Sequence, residues 1–210
     1  MGWRVIGRAG VYVSKHLSQY DQYSIYDSQQ QDPNFSFLKS SLIQTNRRRI
    51  RDSVSYFSVR SWRKQLKPLQ IASVRNLKAN PSEAALRSIA EEIAECACAI
   101  TNGRPYNFVC PVPSGTPRKK KNFSHLIARS VANYMNINFC PVLETVSEGG
   151  AGSSHPQKSL RFKARLEGER PAGKIGLIVD DVATTGSHFV QCVEQFRRFD
   201  VPVVCVSWIG

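Results

Sequence analysis

The chain has 210 residues, 41% of them hydrophobic, with six cysteines and a net charge of +13. That length supports one domain, or one domain with an appendage, around a sizeable core. No cysteine pair has C-x-x-C spacing, which excludes a zinc ribbon, and no apolar run is long enough to span a membrane. The first nine residues also lack an apolar signal core. The chain therefore reads as soluble and cytoplasmic, with buried, reduced thiols.

The charge is uneven. Residues 1–80 carry 14 of the 29 Lys and Arg but 4 of the 16 Asp and Glu, which is +10 of the net +13. A basic segment attracts a polyanion, either nucleic acid or a pyrophosphate substrate, or it is simply a solvated face. Residues 18–37 are rich in Gln, Ser, Tyr and Asp and read as a loop between two short strands, 20–26 and 35–43. Arg47, Arg48, Arg49 and Arg51 form a cationic cluster and are the expected polyanion-binding residues. The cluster lies far along the chain from the acidic motif described below, so its site is expected to be separate. Residues 62–77 place Trp62, Leu66, Leu69, Ile71 and Val74 among cations, a pattern that packs apolar surface while keeping charge wet.

From residue 80 onward the pattern sharpens. Ser82 is an N-cap, and Leu86, Ile89, Ile93, Ala97 and Ile100 recur at helical spacing until Gly103. Residues 107–112 read as a strand, broken at Pro111 and Pro113. A second helix spans 123–135, with Leu126, Ile127, Val131 and Tyr134 on one face. A strand follows at 139–143, then a Gly/Ser-rich stretch, 148–159, expected to be a mobile loop that closes over a ligand. Residues 174–180 form a strand, 187–199 a helix and 201–208 the last strand. Alternating strands and helices predict an α/β fold, a parallel sheet flanked by helices. Ligands in such sheets bind beyond the strand C-termini.

The run LIVDDVATTGSH, Leu177 to His188, ends one of those strands. An apolar strand leads into Asp180 and Asp181, then Thr184, Thr185 and Gly186 make a tight turn before the next helix. Loop amides and a helix N-terminus suit a phosphate, and two adjacent carboxylates suit ribose hydroxyls or a hard cation. One βα unit earlier, Ser114, Gly115 and Thr116 follow a strand end and lead into Arg118, Lys119, Lys120 and Lys121. Small residues there let amides approach an oxyanion, and the cations neutralise pyrophosphate, unless the run is only a solvated loop.

The order apolar strand, two acidic residues, two more residues, Thr-Thr-Gly resembles the signature of the type I phosphoribosyltransferases. The resemblance implies that Asp180 and Asp181 hold the ribose 2′ and 3′ hydroxyls of phosphoribosyl pyrophosphate (PRPP). It implies that Ala183, Thr184, Thr185, Gly186 and Ser187 wrap its 5′-phosphate. Ser114, Gly115, Lys119 and Lys120 would then take the pyrophosphate, and Mg2+ would bridge pyrophosphate and ribose oxygens at Asp180 and Asp181. Residues 81–210 would be the phosphoribosyltransferase-like core, and 1–80 a basic N-terminal region or hood over the base.

Gln157, Leu160 and Arg165, with Pro111-Val112-Pro113, the basic run and Asn122-Phe123, are similar to the ComF branch of that family, over roughly residues 105–210. Departures are plain. Gly-Phe-Asn is present only as Asn122-Phe123-Ser124, and the zinc ribbon of many ComF proteins is missing. His188 stands where the family usually has a threonine. Thr184 stands where hypoxanthine-guanine enzymes carry an Asp, which argues against 6-oxopurine salvage.

The expected activity is displacement of pyrophosphate at ribose C1 by a nitrogen nucleophile, through an oxocarbenium-like transition state. His125, His155 and His188 are general-base candidates by position only. The alternative is a non-catalytic module of the same fold that binds a nucleotide or nucleic acid, such as a regulator or a component of bacterial retron or anti-phage defence. Ligands are then PRPP or a nucleoside 5′-monophosphate, with nucleic acid on the basic region. The acceptor, turnover and assembly, as a homo-oligomer or a protein complex, stay open at the level of sequence.

Overall fold

The computed structural model describes residues 32–114, 122–146, 161–164 and 175–210. Within them the chain is an α/β fold, a six-stranded sheet flanked by helices, in the strand order β1-β2-β8-β7-β3-β4. The elements are α1 (Pro33–Ser41), β1 (Ile43–Arg51), β2 (Val54–Ser61), α2 (Lys67–Ala79), α3 (Glu83–Ile100), β3 (Phe108–Pro111), α4 (Phe123–Met135) and β4 (Asn138–Phe139). They continue with β5 (Leu143–Val146), β6 (Arg161–Ala164), β7 (Gly176–Val182), α5 (Ser187–Arg197) and β8 (Val203–Ile209). Strands β2, β8, β7, β3 and β4 run parallel, and only β1 is antiparallel, as an edge strand on β2. Strands β5 and β6 form a separate antiparallel pair.

Most boundaries follow local chemistry. The Ser82 side chain accepts from the Ala85 amide at 3.2 Å and starts α3. Asn122 does the same for His125 at 2.8 Å and starts α4, which ends on Asn136 at φ 53°. Asp52 and Ser53, at φ 46° and 62°, make the two-residue turn between β1 and β2, the primed type whose twist suits a hairpin.

Two sequence expectations are corrected. Of residues 35–43, 35–41 lie in helix α1 rather than a strand, and Ile43 opens β1. Asp32 accepts from the amides of Asn34 and Phe35, and Pro33 supplies a helical φ in the first turn. Asp-Pro is a helix start, and it outweighs the aromatic content that suggests a strand. Residues 139–143 are not one strand either. Pro141 interrupts the ladder, β4 ends at Phe139, and β5 belongs to the other sheet. The expected strand at 20–26 and the loop at 148–159 lie outside the described residues.

Both faces of the sheet are covered. On one side α1 to α4 bury Leu38, Val74, Leu77, Ile89, Ile93 and Ile127 against Val59, Val109, Leu177, Val179, Val206 and Trp208. On the other, α5 buries Phe189, Cys192 and Phe196 against Tyr56, Phe108, Cys110, Ile178 and Cys205. Strand β7, central and buried on both faces, is apolar up to its acidic pair, as a parallel core strand must be. The division at residue 80 falls between α2 and α3, and β2 pairs with β8 across it. All six cysteines are free, and burial raises the Cys96 thiol to about 11 and Cys110 to about 12.

Candidate functional site: an acidic pair and an uncapped helix start

Asp180 and Asp181 close β7 and are almost fully enclosed, 5% and 8% exposed. Two carboxylates so buried need partners, and the chain supplies them locally and from afar. The Asp181 amide donates to Asp180 Oδ1 at 2.9 Å, and the Val182 amide donates to Asp181 Oδ1 at 2.8 Å. Ser124, in the first turn of α4, donates its hydroxyl to Asp180 Oδ1 at 2.8 Å. Lys78, in the last turn of α2, forms an ion pair with Asp181 Oδ2. Burial pushes the Asp180 carboxyl well above the usual carboxylate range. The charge of Asp181 adds to this, and the Ser124 hydrogen bond opposes it.

The loop after β7 then turns into α5. Ala183 is buried and donates its amide to Ile209 O at 2.9 Å, while Thr184 and Thr185 are exposed. The Thr185 and Ser187 hydroxyls are 3.1 Å apart. Gly186 is the N-cap of α5 at φ 74°, and no side chain caps the helix. A Cβ at Gly186 would stand 2.4 Å from the Tyr56 ring. Glycine is thus required twice over, for its φ and for its seat on Tyr56. With no side-chain cap, the first amides of α5 and the positive end of its dipole favour an anion.

His188 follows in the first turn of α5, half-buried. Burial lowers its pKa, against an opposing pull from Asp181. His125 lies edge-on to Phe139 with ring centroids 4.9 Å apart, so its ring packs as an aromatic. His155 lies outside the described residues.

Of the expected pyrophosphate residues, Ser114 ends the described segment after β3, and its carbonyl accepts from the Thr145 hydroxyl of β5. Gly115, Lys119 and Lys120 lie outside the described residues. The arginine cluster is on β1, and here the structure corrects an expectation. Arg51 Nη1 donates to the Thr185 carbonyl at 3.0 Å, so the cluster reaches the motif loop rather than standing apart from it. The β1–β2 turn and the pairing of β2 with β8 bring the two together. Arg48 bonds to Ser55 Oγ, with its Nη2 at 2.9 Å.

Ser124, Lys78 and Arg51 are the site residues that sequence reading overlooks as members of the site. Ser124 ends the run Asn122-Phe123-Ser124, and Arg51 belongs to the arginine cluster of β1. Lys78 carries no local signal. Among the described residues no three His, Cys, Asp or Glu side chains gather as a metal cage. The two adjacent carboxylates, Asp180 and Asp181, offer the hard oxygen donors that a magnesium ion takes one or two at a time.

The fold and this loop define an α/β protein with a buried acidic pair and an anion-favouring turn at one strand end. No protein-family model and no curated protein matches the chain. Among solved structures it is similar to adenine phosphoribosyltransferase from Saccharomyces cerevisiae, complexed with an imino-altritol bisphosphate and adenine. That match has 10% identity over 83% of this chain and 88% of that one, with a TM-score of 0.47. It is similar to orotate phosphoribosyltransferase from Aeropyrum pernix, at 15% identity over 82% and 79%, TM-score 0.35. It is also similar to a hypothetical protein from Neisseria gonorrhoeae with bound ppGpp, at 15% identity over 61% and 84%, TM-score 0.38.

Proposed function

We propose that the chain binds PRPP or a nucleoside 5′-monophosphate at the end of β7 and transfers the 5-phosphoribosyl group to a nitrogen nucleophile, releasing pyrophosphate. The observation that carries this reading is the buried acidic pair joined directly to the uncapped start of α5. Asp180 and Asp181 accept the ribose hydroxyls, and the amides and hydroxyls of Thr184 to Ser187 donate to the 5′-phosphate. Ser124 and the Asp181 and Val182 amides hold the carboxylates rigid, so little reorganisation accompanies binding. The segment after Ser114, with Gly115, Lys119 and Lys120, takes the leaving pyrophosphate. A magnesium ion arriving with the substrate would share Asp180 or Asp181 and stabilise the leaving charge. Residues 1–80 are the region to which the base or amine specificity is assigned.

Calorimetry with AMP and with PRPP, in magnesium and in EDTA, tests the site. Asp180→Asn with Asp181→Asn weakens binding by roughly tenfold or more, since a charge-assisted hydrogen bond to the Asp181 carboxylate alone contributes about 1.5–3 kcal/mol. Unchanged affinity in the double variant rejects the reading. A second reading, a non-catalytic nucleotide-binding module, keeps the same ribose and phosphate contacts without turnover. Pyrophosphate release from PRPP across a panel of amines and bases separates the two.

A further inference from the structure

Strand β1 carries a row of cations that begins at the motif loop. From Arg47 to Arg51 its register with β2 is regular: Arg47 faces Ser58, Arg49 faces Tyr56 and Arg51 faces Val54. Facing residues share a side of the sheet, so Arg47, Arg49 and Arg51 lie on the side of Tyr56, the side that α5 covers. Tyr56 is the ring on which Gly186 is seated, and Arg51 already donates to Thr185 O at 3.0 Å. Among the described residues, no acid or carbonyl pairs with Arg47 or Arg49, and no strand lies beyond β1. Alternate residues of a strand are about 7 Å apart, so the three arginines are spaced along the sheet edge in steps of that size, with Arg51 on the loop. A second copy of β1 pairing there would set arginine against arginine, which is unfavourable.

We propose that this surface binds the 3′ end of an RNA strand. The inference rests on the reading of the acidic pair and loop given above. In a 3′-terminal nucleotide the 2′ and 3′ hydroxyls are both free, and they suit Asp180 and Asp181. Its 5′-phosphate is a phosphodiester, which sits at the Thr184–Ser187 turn. The preceding nucleotides leave from that phosphate, and their backbone meets Arg51, then Arg49 and Arg47. Entry from the 5′ end is disfavoured, because the 3′ oxygen that Asp180 or Asp181 would bind is then esterified. The ligand is thus a nucleotide in the site with a polyanionic tail on β1.

The test uses a short 5′-fluorescein oligoribonucleotide and the full chain, read by anisotropy. The strand with a free 2′,3′-diol should bind at least about tenfold more tightly than the same strand ending in a 3′-phosphate or made as 2′,3′-dideoxy DNA. Arg47→Ser with Arg49→Ser should lower the slope of log affinity against log salt by roughly 1.4, at about 0.7 per phosphate on a single strand. Circular dichroism checks that this variant folds. Equal affinity for free and blocked ends overturns the proposal. So does competition by poly-glutamate as effective as RNA of equal charge, which would mark an acidic protein as the partner. AMP binding by the same preparation separates the failures: a chain that takes AMP but ignores the RNA end refutes this inference alone. One that takes neither refutes the proposed function with it.

Discussion

Asp180 and Asp181 are costly residues in a folded chain, and their neighbours indicate what offsets the cost. Each oxygen of Asp181 has a partner, the Val182 amide on Oδ1 and the Lys78 ammonium on Oδ2. A ribose hydroxyl that binds Asp181 competes with that ammonium. Lys78→Met should therefore raise AMP affinity by roughly threefold to tenfold. It should lower stability by about 1 kcal/mol, the scale of a partly exposed ion pair. Calorimetry and urea unfolding measure the two effects. Weaker AMP binding in Lys78→Met would instead place the ammonium on the ligand.

Strand β7 and helix α5 are joined by Ala183 to Gly186, and the turn depends on Gly186. Its left-handed φ costs about 1–2 kcal/mol for any residue with a Cβ, and the Tyr56 ring leaves no space for one. Gly186→Ala should destabilise the chain by roughly 2–4 kcal/mol, adding the overpacking cost, and should weaken AMP binding as the turn shifts. A urea midpoint equal to wild type would show that Tyr56 yields freely. Elsewhere β2, α3 and β8 are joined by a buried cluster. Arg60 makes two bonds of 2.6 Å to Glu92, and the Trp208 indole donates to the same carboxylate at 3.0 Å. Glu92→Gln leaves the Arg60 charge buried and unpaired, so a loss of about 3–5 kcal/mol is expected in the same unfolding assay. A loss under 1 kcal/mol would mean that water reaches Arg60.

For the whole molecule, the acidic pair sets a pH dependence. Burial, with the charge of Asp181, holds the Asp180 pKa above its unfolded value. The folded chain then binds that proton more tightly than the unfolded chain. From about pH 3.9, the ordinary carboxylate value, up through the raised folded value, this group subtracts stability as pH rises. Asp180→Asn removes the dependence. It should stabilise the chain by on the order of 2 kcal/mol at pH 8, with the gap closing toward pH 4. Urea titrations at both pH values decide it, since a gap of equal size at each would mean that Asp180 does not carry the shift.

The sequence by itself determined what lies within one stretch of chain. The strand, acidic pair, Thr-Thr-Gly turn and helix start from Leu177 to His188 are contiguous, and local preferences suffice to order them. The cap at Ser82 and the helical spacing of α3 and α4 are legible for the same reason. Helix α1 departs from the expected strand because its Asp32-Pro33 start outweighs its aromatic content. The tertiary structure alone decided which distant residues join the site. Lys78, Ser124 and Arg51 reach it only once α2, α4 and β1 are stacked on one sheet, with Arg51 134 positions away from its partner Thr185. A side chain's type states what it can bond, but the partner is chosen by strand order and by the burial that brings unlike segments together.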